Sequence, residues 1–289
     1  MTFAIAEVLS DAAGRVTLLA DTKLTDRLDD VATRHIYTHP CLKIVIIDDD
    51  IAVAVAGDNP ESALRFVTSL RGQGLAQIVE SLRRYSVDHD SRNVSKSFLI
   101  AKRAPNPKLW RIVRGQVDDS SALPRLWIGD PAAFSAFQSQ HHSALPSATA
   151  EFRLVAAMQA ISAFDDIATV GGYITRLTGD GLHPFRFAGD QTRMAPWLTQ
   201  GTVDDQNGRT ALTFSVPPGA DPTRHSRIAV PGHGRTPGAL AFVIPEIGTA
   251  RMWTHEAPWL PPIKLSGLRA MDDLLRAASN DHGQLLRPN

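Results

Sequence analysis

The chain has 289 residues, is 43% hydrophobic and 21% charged, and balances 30 basic against 30 acidic side chains, for a formal net charge of zero. That length supplies a sizeable core for one large domain or a domain with an appendage, and the charge balance excludes the strongly basic character that recruits nucleic acid or an anionic membrane. One cysteine, Cys41, excludes an internal disulfide framework and a multi-cysteine zinc site, and apolar runs such as Ile51 to Ala56 are far too short to span a bilayer. With no basic n-region or long apolar h-region at the start, a soluble cytoplasmic protein is the expectation.

Residues 3–9 and 15–20 are apolar runs parted by Ser10 to Gly14, which predicts a β-hairpin closed by Asp21. Residues 22–40 are polar and carry Pro40, so they read as loop or short edge structure. Leu42 to Ile47 and Ile51 to Ala56 predict a second hairpin around Asp48-Asp49-Asp50, apolar on both faces as buried strands are. Gly57-Asp58-Asn59-Pro60 opens a helix that Asp58 or Asn59 can cap and that Gly72 ends; a second helix carries Leu75, Ile78, Val79 and Leu82 at helical spacing. Val94 to Ala101, Leu109 to Val113 and Leu126 to Ile128 read as strands. Helices are predicted at about 131–142 and 148–163, the latter with Phe152, Val155, Ala156, Gln159 and Ala160 on its apolar face. Gly171 to Leu177 turns through Gly179-Asp180-Gly181 into Phe185 to Phe187, another hairpin.

Strand blocks that alternate with helix pairs argue for an α+β fold, a four-layer αββα sandwich of two antiparallel sheets with a helix pair on each outer face. Residues 189–235 change character, being rich in Gly, Pro, Thr and Asp, with short strands at 211–216 and 227–230. A hairpin over 238–244 and 249–254 and a last helix over about 265–278 follow. The expected organisation is therefore a domain over 1–188 and a C-terminal hairpin and helix extension over 189–289, packed on it.

Three strings carry chemistry. The first is Thr2 and its strand, directly behind Met1; removal of Met1 leaves a hydroxyl and a free α-amine on one residue, a compact nucleophile and base. The second is Leu19-Ala20-Asp21-Thr22-Lys23-Leu24-Thr25, and the third runs from Leu42-Lys43-Ile44 to Ala56-Gly57. Lys43 stands on an otherwise apolar strand, and a buried lysine needs a partner. In order, spacing and placement these strings resemble the proteasome-type N-terminal nucleophile hydrolases, closest to bacterial HslV-type peptidases and proteasome β-subunits, over residues 2–188.

The resemblance implies an N-terminal threonine amidohydrolase or peptidase. Thr2 would be the nucleophile and Lys43 the charge beside it. Asp21 would hold Lys43, the Gly57 N–H would meet the oxyanion, and Thr25 would pair with the backbone of an extended substrate. Val55, Ala56 and Cys41 would lie near an apolar side-chain pocket. It also implies a peptide or protein substrate, a homo-oligomeric ring fed by a separate ATP-dependent unfoldase, and no cofactor or metal. Where the family has a serine after the strand leading into its third helix, this chain has Asp130; before the late Gly-Gly it has Val170 in place of a serine, with Asp166 one position out of step. A catalytically inactive scaffold or regulatory protein and a small-molecule amidase are the alternative functions. His141-His142 reads as a surface pair, Asp48 to Asp50 as a solvated tip, Cys41 as structural, and the segments at 179–181 and 231–234 as turns.

Overall fold

The computed structural model describes residues 3–10, 14–22, 40–57, 60–90, 96–121, 123–144, 147–163, 167, 170–189, 191–193, 198–204, 209–215, 226–245 and 248–288. In chain order the first elements are β1 (Phe3–Leu9), β2 (Arg15–Asp21), β3 (Ile44–Ile46), β4 (Ile51–Gly57), α1 (Pro60–Ser69) and α2 (Leu75–Asp88). Next come β5 (Lys96–Lys102), β6 (Lys108–Val113), β7 (Gln116–Asp119), β8 (Arg125–Gly129), α3 (Pro131–Ser143), α4 (Ala150–Ala163), β9 (Ile174–Gly179) and β10 (Arg186–Phe187). The C-terminal part holds β11 (Gln191–Arg193), β12 (Leu198–Asp204), β13 (Arg209–Ser215), β14 (Ser226–Pro231), β15 (Leu240–Ile244), β16 (Thr249–Trp253), β17 (Ile263–Ser266) and α5 (Met271–His282).

The fold is α+β. Among the described residues the strands form three five-stranded antiparallel sheets, in the orders β10-β9-β2-β1-β8, β3-β4-β5-β6-β7 and β11-β14-β15-β16-β17, with β12 and β13 as a separate ribbon. Strand alternation sorts the side chains of the first two sheets into layers. Ala4, Ala6, Leu18 and Ala20 of the first sheet share one buried cluster with Ile44, Ala52, Ala54 and Leu99 of the second. Phe3, Ile5 and Leu19, one residue out of phase, pack instead with Phe137 of α3 and Leu154 and Met158 of α4. Val53, Val55 and Ile100 pack with Leu64 and Val67 of α1 and Ile78 of α2. The third sheet behaves alike: Ala241, Val243 and Met252 meet Leu274 and Ala278 of α5, while Leu240, Phe242 and Trp253 join the cluster shared by the first two sheets.

Each end of that shared cluster has its own tie. Arg103, just past β5, donates to the Asp49 and Asp180 carbonyls and pairs with Asp50 at 2.7 Å, which pins the β3–β4 tip to the β9–β10 turn. Asp48 Oδ1 accepts the N–H groups of Asp50 and Ile51, so that acidic tip is built by its own turn bonds. At the other end Asp21 and Lys43 join the two sheets.

Several sequence expectations are corrected. The face of α4 is rotated: Leu154, Ala157, Met158 and Ile161 are buried, whereas Phe152 is 63% exposed. Apolar residues surround this helix, so no single stripe marked the inward side. The last helix starts at Met271, not near 265, because Ile263–Ser266 pairs with β16 as an edge strand and Gly267, at φ +75°, breaks the chain direction before the helix. Strands β7, β11, β12 and β17 are additions; β7 is exposed along its whole length and carries no apolar signal. Helix α1 ends at Ser69, and Gly72 lies in the turn beyond it. The Asp58 or Asn59 cap lies outside the described residues. No helix among the described residues is long and apolar enough to cross a membrane.

A polar network ties the extension to the second sheet. Arg71, after α1, donates to the Ile46 carbonyl of edge strand β3 at 3.3 Å and to the His255 carbonyl at 3.0 Å. His255 Nδ1 accepts the Gly238 N–H, and the His255 N–H donates to Gln284, whose amide donates to Glu256. Burial, then the Arg71 charge, holds the His255 imidazole below its usual pKa. His141, bonded to Arg125 at 2.9 Å and stacked on Phe137, is pushed from 6.5 down to about 4 by burial and by the charges of Arg125, Arg153 and His142. Below pH 6.5 the unfolded chain therefore binds protons that the folded chain refuses, and stability rises with pH in that window. We expect the free energy of unfolding to be level just above pH 6.5 and to fall as the pH drops toward 4, with His141→Gln removing part of the fall. Urea titrations at stepped pH values check this.

Candidate functional site

Asp21 is the last residue of β2 and pairs in register with Ile174 of β9. Lys43 precedes β3, and its carbonyl accepts the Val55 N–H of β4 at 2.9 Å. The two side chains meet between the sheets: Lys43 Nζ donates to both Asp21 carboxylate oxygens at 3.1 Å, with the lysine side chain 1% exposed and the aspartate 0%. Asp21 Oδ1 also accepts the Phe3 N–H at 3.1 Å. One carboxylate thus fixes both a cation and the backbone beside residue 2.

Such a pair is a poor device for stability alone. Taking two charges out of water costs several kcal/mol per ion, and apolar residues of similar volume do as well or better. The pair fixes an ammonium at one buried point, where the dielectric is low and a charge acts strongly on a group beside it.

Gly57 ends β4 two residues beyond Val55, the strand partner of Lys43, and has φ +129°, a backbone region that favours glycine. The chain there leaves the strand for the start of α1 at Pro60. The structure therefore places Asp21 and Lys43 in direct contact, with Gly57 at the end of the neighbouring strand. Thr2, Thr25 and Asp166 lie outside the described residues.

Val55, Ala56 and Cys41, expected near one side-chain pocket, do not share one face. Val55 and Ala56 are consecutive on β4 and face opposite sides: Val55 and Cys41 belong to the cluster under α1 and α2, and Ala56 to the cluster between the sheets. Burial pushes the Cys41 thiol from 9.0 up to about 12, which leaves it protonated and inert as a nucleophile. Asp130 caps α3, its Oδ1 accepting the Ala132 N–H at 2.8 Å, and Pro131 occupies the first helical position. Val170 is buried in the cluster beneath α3 and α4.

Two neighbours of the pair escaped the sequence reading. Thr22 is fully buried; its Oγ1 accepts the Tyr173 N–H at 2.8 Å and its carbonyl accepts the Cys41 N–H at 2.8 Å. Tyr173 follows Gly171 and Gly172, and the only sequence signal was that Gly-Gly before an apolar strand. No protein-family model matches this chain, and no curated protein matches it either.

Proposed function

We propose that the chain is an N-terminal threonine amidohydrolase of the proteasome-like type, a peptidase whose nucleophile, Thr2, is exposed by removal of Met1. The observation that carries this reading is the buried Lys43–Asp21 pair, whose carboxylate also binds the N–H of Phe3, the residue after Thr2. The Lys43 ammonium favours loss of the Thr2 hydroxyl proton to the α-amine of the same residue. The hydroxyl oxygen attacks the amide carbonyl, the Gly57 N–H meets the developing oxyanion, and the amine passes its proton to the departing nitrogen. Water then hydrolyses the ester on Thr2. Thr25 pairs with an extended peptide.

The layering of buried clusters supports a four-layer αββα sandwich over 1–188, with 189–289 as an extension packed on it. A peptide or protein substrate, a homo-oligomeric ring, a separate ATP-dependent unfoldase as partner and a cytoplasmic setting complete the reading. A small-molecule amidase would use the same machinery. One observation favours a second reading, a catalytically inactive scaffold or regulatory protein: Asp130 is engaged as a helix cap and Val170 is buried where the resembled family has serines.

Intact mass spectrometry and a β-lactone probe separate these readings. The active form has lost Met1, gains the probe's mass at Thr2, and loses that labelling in Lys43→Ala. A chain that retains Met1 sinks the threonine mechanism; a processed chain that stays unlabelled favours the scaffold.

A further inference from the structure

The third sheet reaches the back of the candidate site through one aromatic residue. The Tyr173 ring is buried, stacked on Phe242 of β15 with centroids 4.5 Å apart at 22°, and meets Trp253 of β16 edge-on at 6.4 Å and 79°. Phe242 and Trp253 are themselves perpendicular at 6.1 Å and 89°. The ring is thus held by two others in the offset and edge-to-face arrangements that aromatic groups favour.

The backbone of the same residue grips the end of β2. Its N–H donates to Thr22 Oγ1 at 2.8 Å, Ile174 pairs with Asp21, and Thr175 Oγ1 donates to the Ala20 carbonyl at 3.0 Å. Residues 173–175 therefore hold residues 20–22 one for one from the β9 side. On the other side the Thr22 carbonyl accepts the Cys41 N–H, two residues before Lys43. The Asp21 carboxylate sits at the centre of this frame. It bonds Lys43 and Phe3 at 3.1 Å each, so the geometry of those bonds depends on where the 20–22 segment is held.

We infer that Tyr173 is a positioning residue for the Asp21–Lys43 pair, and that Phe242 and Trp253 of the C-terminal extension are the clamp through which it acts. The extension is on this account a working part of the site. The catalytic consequence rests on the amidohydrolase reading; the positioning itself does not.

The test uses the full-length chain and three variants. Thr22→Val keeps the shape of the side chain and removes only the acceptor for the Tyr173 N–H. Phe242→Leu loosens the clamp while keeping an apolar side chain, and Thr22→Ser restores the acceptor. The 13Cε and 15Nζ resonances of Lys43 report its hydrogen bonding to Asp21, and circular dichroism reports the fold. The expected result is that Thr22→Val and Phe242→Leu shift both resonances with the fold retained, and that Thr22→Ser returns them to the wild-type positions. With an amide substrate the same two variants lose about 10- to 100-fold in kcat, as for a misplacement of about 1 Å, with KM little changed. Lys43 resonances unmoved in folded Thr22→Val and Phe242→Leu overturn the inference. Shifted resonances in a wild-type chain that cleaves no amide leave the positioning standing and count against the amidohydrolase reading alone.

Discussion

Lys43→Ala lowers the free energy of unfolding by about 3–5 kcal/mol, because the fully buried Asp21 carboxylate loses its cation and keeps the cost of being out of water. The informative companion is the double variant Asp21→Asn/Lys43→Met. It removes both charges, fills the volume of the lysine with an apolar chain, and leaves an amide oxygen to accept the Phe3 N–H. It recovers most of the loss, since both desolvation costs vanish with the charges. A double-mutant cycle of urea titrations through the single variants Asp21→Asn and Lys43→Met measures the coupling directly, and a double variant whose loss equals the sum of those two single losses would show that the pair is not coupled. Under the proposed mechanism that stable double variant cleaves no amide, so stability and chemistry separate in one protein.

Phe3→Ala costs a further about 3–5 kcal/mol in the wild-type background. The Phe3 ring is fully buried between Trp127 of β8, at 6.4 Å, and Phe137 of α3, at 5.8 Å, in the layer between the first sheet and its helices. Truncation leaves a cavity that two rigid rings cannot close. Phe3 directly follows Thr2 in the sequence, so under the proposed mechanism the variant also lowers the rate of amide cleavage. Phe3→Leu keeps more of the volume and loses less. The urea midpoint should fall for both in that order with the slope unchanged; an unchanged midpoint for Phe3→Ala would mean the start of β1 is not packed as described.

How far these features were legible depended on how local their cause is. The β1–β2 and β3–β4 hairpins and helices α1 and α2 could be read because apolar runs of the right period are bounded by Gly, Asp or Pro within a few residues. Lys43 could be singled out because a lysine in such a run demands a partner, and Asp21 because it closes the neighbouring apolar strand. Helix α4 could not be oriented: apolar residues ring it, and only the sheet it packs on decides which of them go inward. β17 was hidden because four alternating residues look like the start of a helix until β16 supplies its partner. The opposite facing of Val55 and Ala56 follows from strand alternation, which a grouping by sequence proximity passes over. The grip of Tyr173 on Thr22 spans 151 positions and leaves no local trace.

That separation governs how the chain is made as well as how it is read. The β1–β2 hairpin is made before either of its partners in the first sheet, so its two outer edges stay open until they follow. β8 fills one of them through contacts such as Arg125 to Glu7, 118 positions apart, and β9 fills the other through Thr175 and Ala20, 155 apart. Pairings this distant are slow to form, and until they do an almost wholly apolar hairpin offers two strand edges to other nascent chains. Tyr173, whose N–H holds Thr22 beside Asp21, itself packs against Trp253 of β16, so the surroundings of Asp21 are complete only after the C-terminal extension has been made.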